Sequence, residues 1–330
     1  MKKRLLRSLT VLLVILIIAA ASGTVLNPAV RVFAEEEKVS EPGLVKHIVL
    51  HDGTMVDEGS FSAGDEIRFT LESNVPEDLP MYTQYTLSFH DEMDAEMEMD
   101  VSSLCVEVNG RRLSAENYEF VLSCGGGENT VFSVQLDLID LYFGGFFSES
   151  ELGVAPVTVE YTARLKQNVQ PGSYRNRAWV EYETGKTPDS TVIIDTYGLK
   201  IIKHADGERT HGLEGAEFEI YKILDDKKVT VADGLYSDEN GRIEVSGLAE
   251  GIYYIIEKKA PEGYAMNPTP IRVEVGKGLD TPTVAVYVPN ALINKPANTG
   301  SRAFFGPGVL MVISGSLVIW MGCAKRKRAS

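Results

Sequence analysis

Thr158-Val-Glu-Tyr-Thr-Ala-Arg-Leu165 places Val159, Tyr161, Ala163 and Leu165 on one side of an extended chain and Thr158, Glu160, Thr162 and Arg164 on the other. A period of two is the signature of a strand with one face in a core and one in water. Arg177-Ala-Trp-Val-Glu-Tyr182 and Thr283-Val-Ala-Val-Tyr-Val288 read in the same way. Turn dipeptides separate such segments at short intervals: Asn109-Gly110, Pro171-Gly172, Asp206-Gly207, Asn240-Gly241, Glu250-Gly251 and Glu262-Gly263. Many short strands with frequent reversals predict an all-β chain of sandwich domains. The longest helical candidate, Leu136 to Phe143 before Gly144-Gly145, reads as an ornament of the first sandwich.

The ends differ from this pattern. Lys2, Lys3, Arg4 and Arg7 precede an uncharged apolar run from Leu9 to about Ala21, and Val32 and Ala34 offer a small-residue cleavage site before Glu35, as in an export signal over residues 1–34. Near the other end, Ala303 to Cys323 carries no charge and is followed by Lys325-Arg-Lys-Arg328, the pattern of a transmembrane helix with its basic end in the cytoplasm. Residues 1–34 and 300–330 hold ten of the 32 Lys and Arg and none of the 47 Asp and Glu, so the segment between them has a formal charge near −25. Such a surface repels nucleic acid and anionic lipid. Length and composition, 330 residues with 44% hydrophobic, suit two folded cores.

Little in the chain points to an enzyme. His47, His51, His90, His204 and His211 fall in no Gly-x-Ser-x-Gly, His-Glu-x-x-His or Cys-x-x-Cys context. The acidic run from Asp91 to Asp100 lacks the spacing and glycine of a calcium loop and reads as a solvated face, so neither metal nor cofactor is expected. With Cys323 in the apolar helix, Cys105 and Cys124 remain, either as a disulfide in an oxidising compartment or as two free thiols.

Four ordered motifs carry a specific resemblance: Leu199-Lys-Ile-Ile-Lys203, Gly212-Leu-Glu-Gly-Ala-Glu-Phe-Glu-Ile-Tyr221, Gly241-Arg-Ile-Glu-Val-Ser-Gly-Leu248 and Gly251-Ile-Tyr-Tyr-Ile-Ile-Glu-Lys-Lys-Ala-Pro-Glu-Gly-Tyr264. Together they resemble the prealbumin-like, collagen-adhesin B-type (SpaA-like) domain of sortase-assembled pilins, over roughly Tyr197 to Asn294. Domains of that kind often hold an internal Lys–Asn isopeptide bond. By alternation Lys203 shares the inward face of Leu199 and Ile201, where a desolvated amine tends to be neutral and nucleophilic, while Lys200 faces out. Val284, Val286, Val288, Asn290, Leu292 and Asn294 share a face if alternation persists, and the resemblance favours Asn290 as the amide, with Asn294 in reserve. Glu257, in the Glu-x-x-Ala-Pro-x-Gly-Tyr box, would be the acid that polarises the amide and relays protons.

A looser resemblance, to the fimbrial isopeptide-forming domain of backbone pilins, runs from Leu44 to Tyr197. It rests on Ala63-Gly-Asp-Glu-Ile-Arg-Phe-Thr70, Phe89-His-Asp-Glu-Met93, Val106-Glu-Val-Asn-Gly110 and Gly172-Ser-Tyr-Arg-Asn-Arg-Ala-Trp-Val-Glu-Tyr182. It implies Lys46 as amine, Asn176 as amide and Asp91 as assisting acid. Alternation puts Asp91 with Tyr85, Leu87 and Phe89, and Asn176 with Ala178, Val180 and Tyr182. Pro296-Ala-Asn-Thr-Gly300 before the apolar segment resembles a sortase sorting signal, with cleavage between Thr299 and Gly300, although Pro296 and Ala297 depart from the usual Leu-Pro. No Tyr-Pro-Lys acceptor motif is present, and Lys38 is a weak substitute.

The organisation expected is therefore a signal peptide (1–34), a short mature segment (35–43), two tandem immunoglobulin-like or prealbumin-like β-sandwiches (44–197 and 198–294) and a sorting segment (295–330) whose helix spans 303–323. The function implied is that of a Gram-positive surface subunit or wall-anchored adhesin. Its partners would be a sortase, peptidoglycan or other pilin subunits and a host or surface ligand, with no nucleic acid. A membrane-retained extracellular binding protein is the alternative.

Overall fold

Alternation becomes burial wherever one face of a strand meets a second sheet. In Pro156–Leu165, residues Val157, Val159, Tyr161, Ala163 and Leu165 are buried and those between them are not. The computed structural model describes residues 41–124, 129–278 and 281–293, and these contain twenty strands. The first group is β1 (Val45–Val49), β2 (Met55–Val56), β3 (Glu58–Ser60), β4 (Glu66–Asn74), β5 (Thr86–Met93), β6 (Met97–Val108) and β7 (Arg111–Arg112). Next come β8 (Glu119–Cys124), β9 (Thr130–Asp137), β10 (Pro156–Leu165), β11 (Gly172–Tyr182), β12 (Gly185–Lys186) and β13 (Ser190–Ala205). The last are β14 (Glu208–Gly212), β15 (Glu217–Leu224), β16 (Lys227–Tyr236), β17 (Arg242–Leu248), β18 (Gly251–Lys259), β19 (Ile271–Val275) and β20 (Thr283–Asn290). The signal, transmembrane and sorting segments expected at the two ends lie outside the described residues.

A helix does follow β9, but it begins two residues later than expected. Helix α1 spans Leu138–Phe143, because Asp137 caps it by accepting from the backbone N–H groups of Ile139 and Asp140. Leu136 stays in β9, paired with Leu87. At the β6–β7 hairpin, Asn109 and Gly110 have φ of 52° and 72°, as a two-residue turn with both centres left-handed requires.

Three sheets are built from these strands. One has the order β2-β1-β4-β10-β6-β7, and a smaller one has β16-β15-β18-β19. Between them runs a ten-stranded sheet with the path β14-β13-β11-β5-β9-β8, onto which β3, β12, β17 and β20 also pair. Phe69, Leu87, Phe89, Phe132, Val159 and Tyr161 belong to one buried apolar cluster, and Leu199, Ile201, Phe218, Tyr253, Ile255 and Val286 to a second.

The chain passes from the first cluster to the second inside a strand. Ile194 belongs to one core and Tyr197 to the other, and both lie on β13. Where the sequence suggested a boundary near Asp195 to Gly198, the backbone continues without a linker. Its first half pairs with β11 and β3 and its second half with β17 and β20.

Further contacts tie the two halves beside this strand. Ala63 N–H donates to the Gly247 carbonyl at 2.8 Å, Glu250 N–H to Ser60 Oγ at 2.7 Å, and Lys277 Nζ lies 2.8 Å from Glu58 Oε1. Gly247 has φ of +66°, and a Cβ there would meet Ala63 Cβ at 2.6 Å. Gly247→Ala therefore adds backbone strain to a steric clash, and is expected to destabilise the fold by about 1–3 kcal/mol. Urea unfolding checks this, and an unchanged midpoint would mean that the β17–β18 corner yields freely.

Candidate functional site

Each core encloses a lysine, a carboxyl group and an asparagine. In the first, Lys46 comes from β1 and Tyr161 from β10 of one sheet, while Asp91 and Asn176 come from β5 and β11 of the facing sheet. All four are inward by alternation, and none is more than 1% exposed. Register sets their mutual position: Asp91 pairs with Ala178, so Asn176 lies one inward position along the neighbouring strand.

Lys46 Nζ donates to Asn176 Oδ1 at 2.8 Å, to Tyr161 Oη at 3.0 Å and to Asp91 Oδ2. Tyr161 Oη donates to Asp91 Oδ2 at 2.9 Å and accepts from Asn176 Nδ2 at 2.6 Å. Burial lowers the Lys46 pKa to about 8, against the opposing pull of Asp91. Burial also raises the Asp91 carboxyl, more than Lys46 holds it down. Both shifts favour a neutral amine beside a neutral acid. The rings of Phe69 and Tyr161 flank the ammonium position at 5.2 and 5.4 Å.

The second core repeats the set with different geometry. Lys203 on β13 and Asn290 on β20 are neighbours in a parallel pair, since Lys203 is level with Val288 and Asn290 is the next inward residue. Glu257 reaches them from β18 in the facing sheet. Asn290 Nδ2 donates to Glu257 Oε1 at 2.8 Å, and Glu257 Oε2 accepts from Asn267 N–H at 2.8 Å. Lys203 Nζ donates to the Val288 carbonyl at 2.9 Å and stands 3.7 Å from Glu257 Oε1. Here too burial lowers the lysine pKa to about 8, with Glu257 opposing. Asn290 Oδ1 is buried and has no hydrogen-bond partner among the described residues.

A buried amine whose pKa is pulled down, set against a carboxamide and a carboxyl group, has the components of an intramolecular acyl transfer. A third buried carboxylate lacks them. Glu219 is lowered to about 2, chiefly by its bond from Lys228, and also accepts from Thr230 and Lys258. Both of its lysines are about half exposed and no amide takes part, so it is a satisfied ion pair.

The residues expected from sequence divide clearly. Lys46, Asp91 and Asn176 meet in the first core, and Lys203, Glu257 and Asn290 in the second. Lys200 faces out, bonded to Glu244 at 2.6 Å. Asn294, Thr299 and Gly300 lie outside the described residues, and alternation stops at Asn290, where β20 ends and Leu292 is half exposed. Of the two cysteine readings the sequence leaves open, the structure has Cys105 as a free thiol. Cys105 sits on β6 opposite Glu160, and Cys124 on β8 opposite Thr130 in a different sheet. Tyr161 was not among the expected residues; its inward parity in Thr158–Leu165 was the available signal.

Residues 198–288 match the family described as SpaA, prealbumin-like fold domain. A fimbrial subunit type 2 of Actinomyces naeslundii is 25% identical over 317 residues, covering 78% of this chain and 57% of its own length. The chain thus spans little more than half of that relative. In fold it resembles the major pilin SpaA of Corynebacterium diphtheriae, at 17% identity and a TM-score of 0.59 over 77% of this chain and 69% of that one. That structure is described as pointing to a modular pilus assembly and stabilizing isopeptide bonds. The pilus 2b backbone protein of group B streptococcus is similar at 21% identity and a TM-score of 0.54, over 75% of this chain and 97% of that one.

The first cluster makes an asymmetric demand on its members. Asp91→Ala leaves the buried amine without one of its hydrogen-bond partners and is expected to cost about 1–3 kcal/mol. Lys46→Met should cost less, because the remaining carboxyl can stay protonated against Tyr161. Urea unfolding of the two variants measures the difference, and equal losses would mean that Asp91 does not compensate the amine.

Proposed function

We propose that this chain, whose residues 198–288 form a SpaA prealbumin-like domain, is a structural subunit of a Gram-positive surface pilus or a wall-anchored adhesin of the same build. The observation that carries this reading is the pair of buried Lys–carboxyl–Asn clusters, one in each core, each reaching from one sheet to the other. The fimbrial relative and the pilin folds support it. In this reading residues 44–197 and 198–294 are the two sandwich modules.

In each module the lysine amine attacks the asparagine side-chain carbonyl, and ammonia leaves as the isopeptide forms. The acid takes a proton from the attacking nitrogen and returns one toward the leaving nitrogen. This happens once per molecule, so the chain is not an enzyme in the turnover sense. Lys46–Asn176 and Lys203–Asn290 would close loops of roughly 130 and 90 residues, worth about 5 kcal/mol each in the chain-entropy account of cross-links. Such bonds suit a subunit exposed to traction and proteases. Cleavage between Thr299 and Gly300 by a sortase would then pass the threonine carbonyl to peptidoglycan or to another subunit.

Mass spectrometry of the purified full chain after proteolysis tests the reading. Two cross-linked peptides are expected, Lys46 with Asn176 and Lys203 with Asn290, each lighter by about 17 Da than the sum of its parts because ammonia is lost. Lys46→Ala should abolish the first alone and Lys203→Ala the second alone. Finding only linear peptides from both sites would overturn the cross-linked reading.

A further inference from the structure

The two clusters differ in how the acid reaches the amide, and the difference points to a fourth participant in the first. Glu257 touches its amide directly, through the 2.8 Å bond from Asn290 Nδ2 to Oε1. Asp91 is shorter by one methylene, and its Oδ2 contacts Lys46 and Tyr161. What stands between Asp91 and the Asn176 nitrogen is the Tyr161 hydroxyl, 2.9 Å from the acid oxygen and 2.6 Å from Nδ2. We propose that Tyr161 is a catalytic residue of the first cluster, carrying the proton from Asp91 to the departing nitrogen of Asn176. This rests on the isopeptide reading above and deepens it.

The steps balance without an outside reagent. Neutral Lys46 Nζ adds to Asn176 Cγ, forming the C–N bond and pushing the carbonyl pair onto Oδ1. Nζ then gives one proton to the Asp91 carboxyl pair of oxygens, and Asp91 gives one to Tyr161 Oη. Tyr161 passes its own hydroxyl proton to Nδ2. As Nδ2 changes from a planar amide to a tetrahedral amine it gains a lone pair, so it stops donating to Oη and accepts from it. The Cγ–Nδ2 bond breaks, ammonia leaves, and the pair on Oδ1 re-forms the carbonyl. One proton has moved from Nζ to Nδ2.

The surroundings suit a neutral relay. Burial raises the Tyr161 pKa well above its ordinary value, and Asp91 raises it further, so the phenol keeps its proton. Its ring is fixed by Phe69, stacked at 5.2 Å, and by Phe132, edge-on at 4.9 Å. Tyr161→Phe keeps those packing contacts and removes only the oxygen.

The test follows both cross-links with time during cell-free synthesis of the full chain in detergent, by mass spectrometry of the digested protein. Tyr161→Phe is expected to slow the Lys46–Asn176 link by about 100-fold or more, the range general acid–base groups supply. The Lys203–Asn290 link in the same molecules should keep its wild-type rate, reporting that folding is intact. Adding Asp91→Glu to Tyr161→Phe should restore much of the lost rate, because the longer acid reaches Nδ2 unaided. A wild-type rate in Tyr161→Phe overturns the relay. So does a slow single variant that Asp91→Glu fails to rescue, since the Tyr161 hydroxyl would then hold the cluster in place rather than carry the proton. Absence of the Lys46–Asn176 link from the wild-type chain is a separate result, which removes the isopeptide reading of this module along with the relay.

Discussion

Placing a primary amine inside a sandwich core requires that its hydration be replaced by groups fixed in advance, and they must come from both sheets. Lys46 receives a carboxyl and a carboxamide from the facing sheet and a phenol from its own. A slip of one residue in β5 or β11 would turn Asp91 or Asn176 to solvent and leave the amine unpaired. The cluster therefore specifies register as well as chemistry. The same constraint acts on β13, β18 and β20 around Lys203, with the parallel pairing of β13 and β20 setting Asn290 beside the amine.

The shared strand β13 gives the two clusters a mechanical relation. Asn176 lies on β11, which pairs with the first half of β13, and Lys203 lies on its second half. With the proposed bonds formed, the first joins the two facing sheets of its sandwich, and the second ties β13 to β20 within one sheet. The hydrogen bonds from Ala63 and Glu250 and the ion pair of Lys277 with Glu58 resist bending beside it. A chain built this way carries its two cores on one continuous strand rather than across a hinge.

The two clusters bring the same residue types together by different means. Glutamate in the second touches its amide without an intermediary, and the lysine rests on the carbonyl of Val288. Aspartate in the first is shorter, and a tyrosine hydroxyl occupies the gap. Both amines are lowered to about 8 by the same cause, exclusion of water, which the aromatic and aliphatic residues of each core provide.

Much of this was legible from residue order, because a strand's period of two and a turn's need for glycine or asparagine are local properties. They identify an all-β chain, put Lys203, Asp91 and Asn176 inward and Lys200 outward, and place a helix near Leu138. Residues that interact across a sandwich are another matter, since which inward side chain faces which depends on sheet order and register between segments far apart in the chain. The sequence by itself determined the strands and the chemical types each core must hold. Only the tertiary structure decided that Tyr161 stands between Asp91 and Asn176, that Cys105 and Cys124 lie in different sheets, and that β13 runs unbroken through both cores. Those facts are distances between strands, and alternation within one strand carries no information about them.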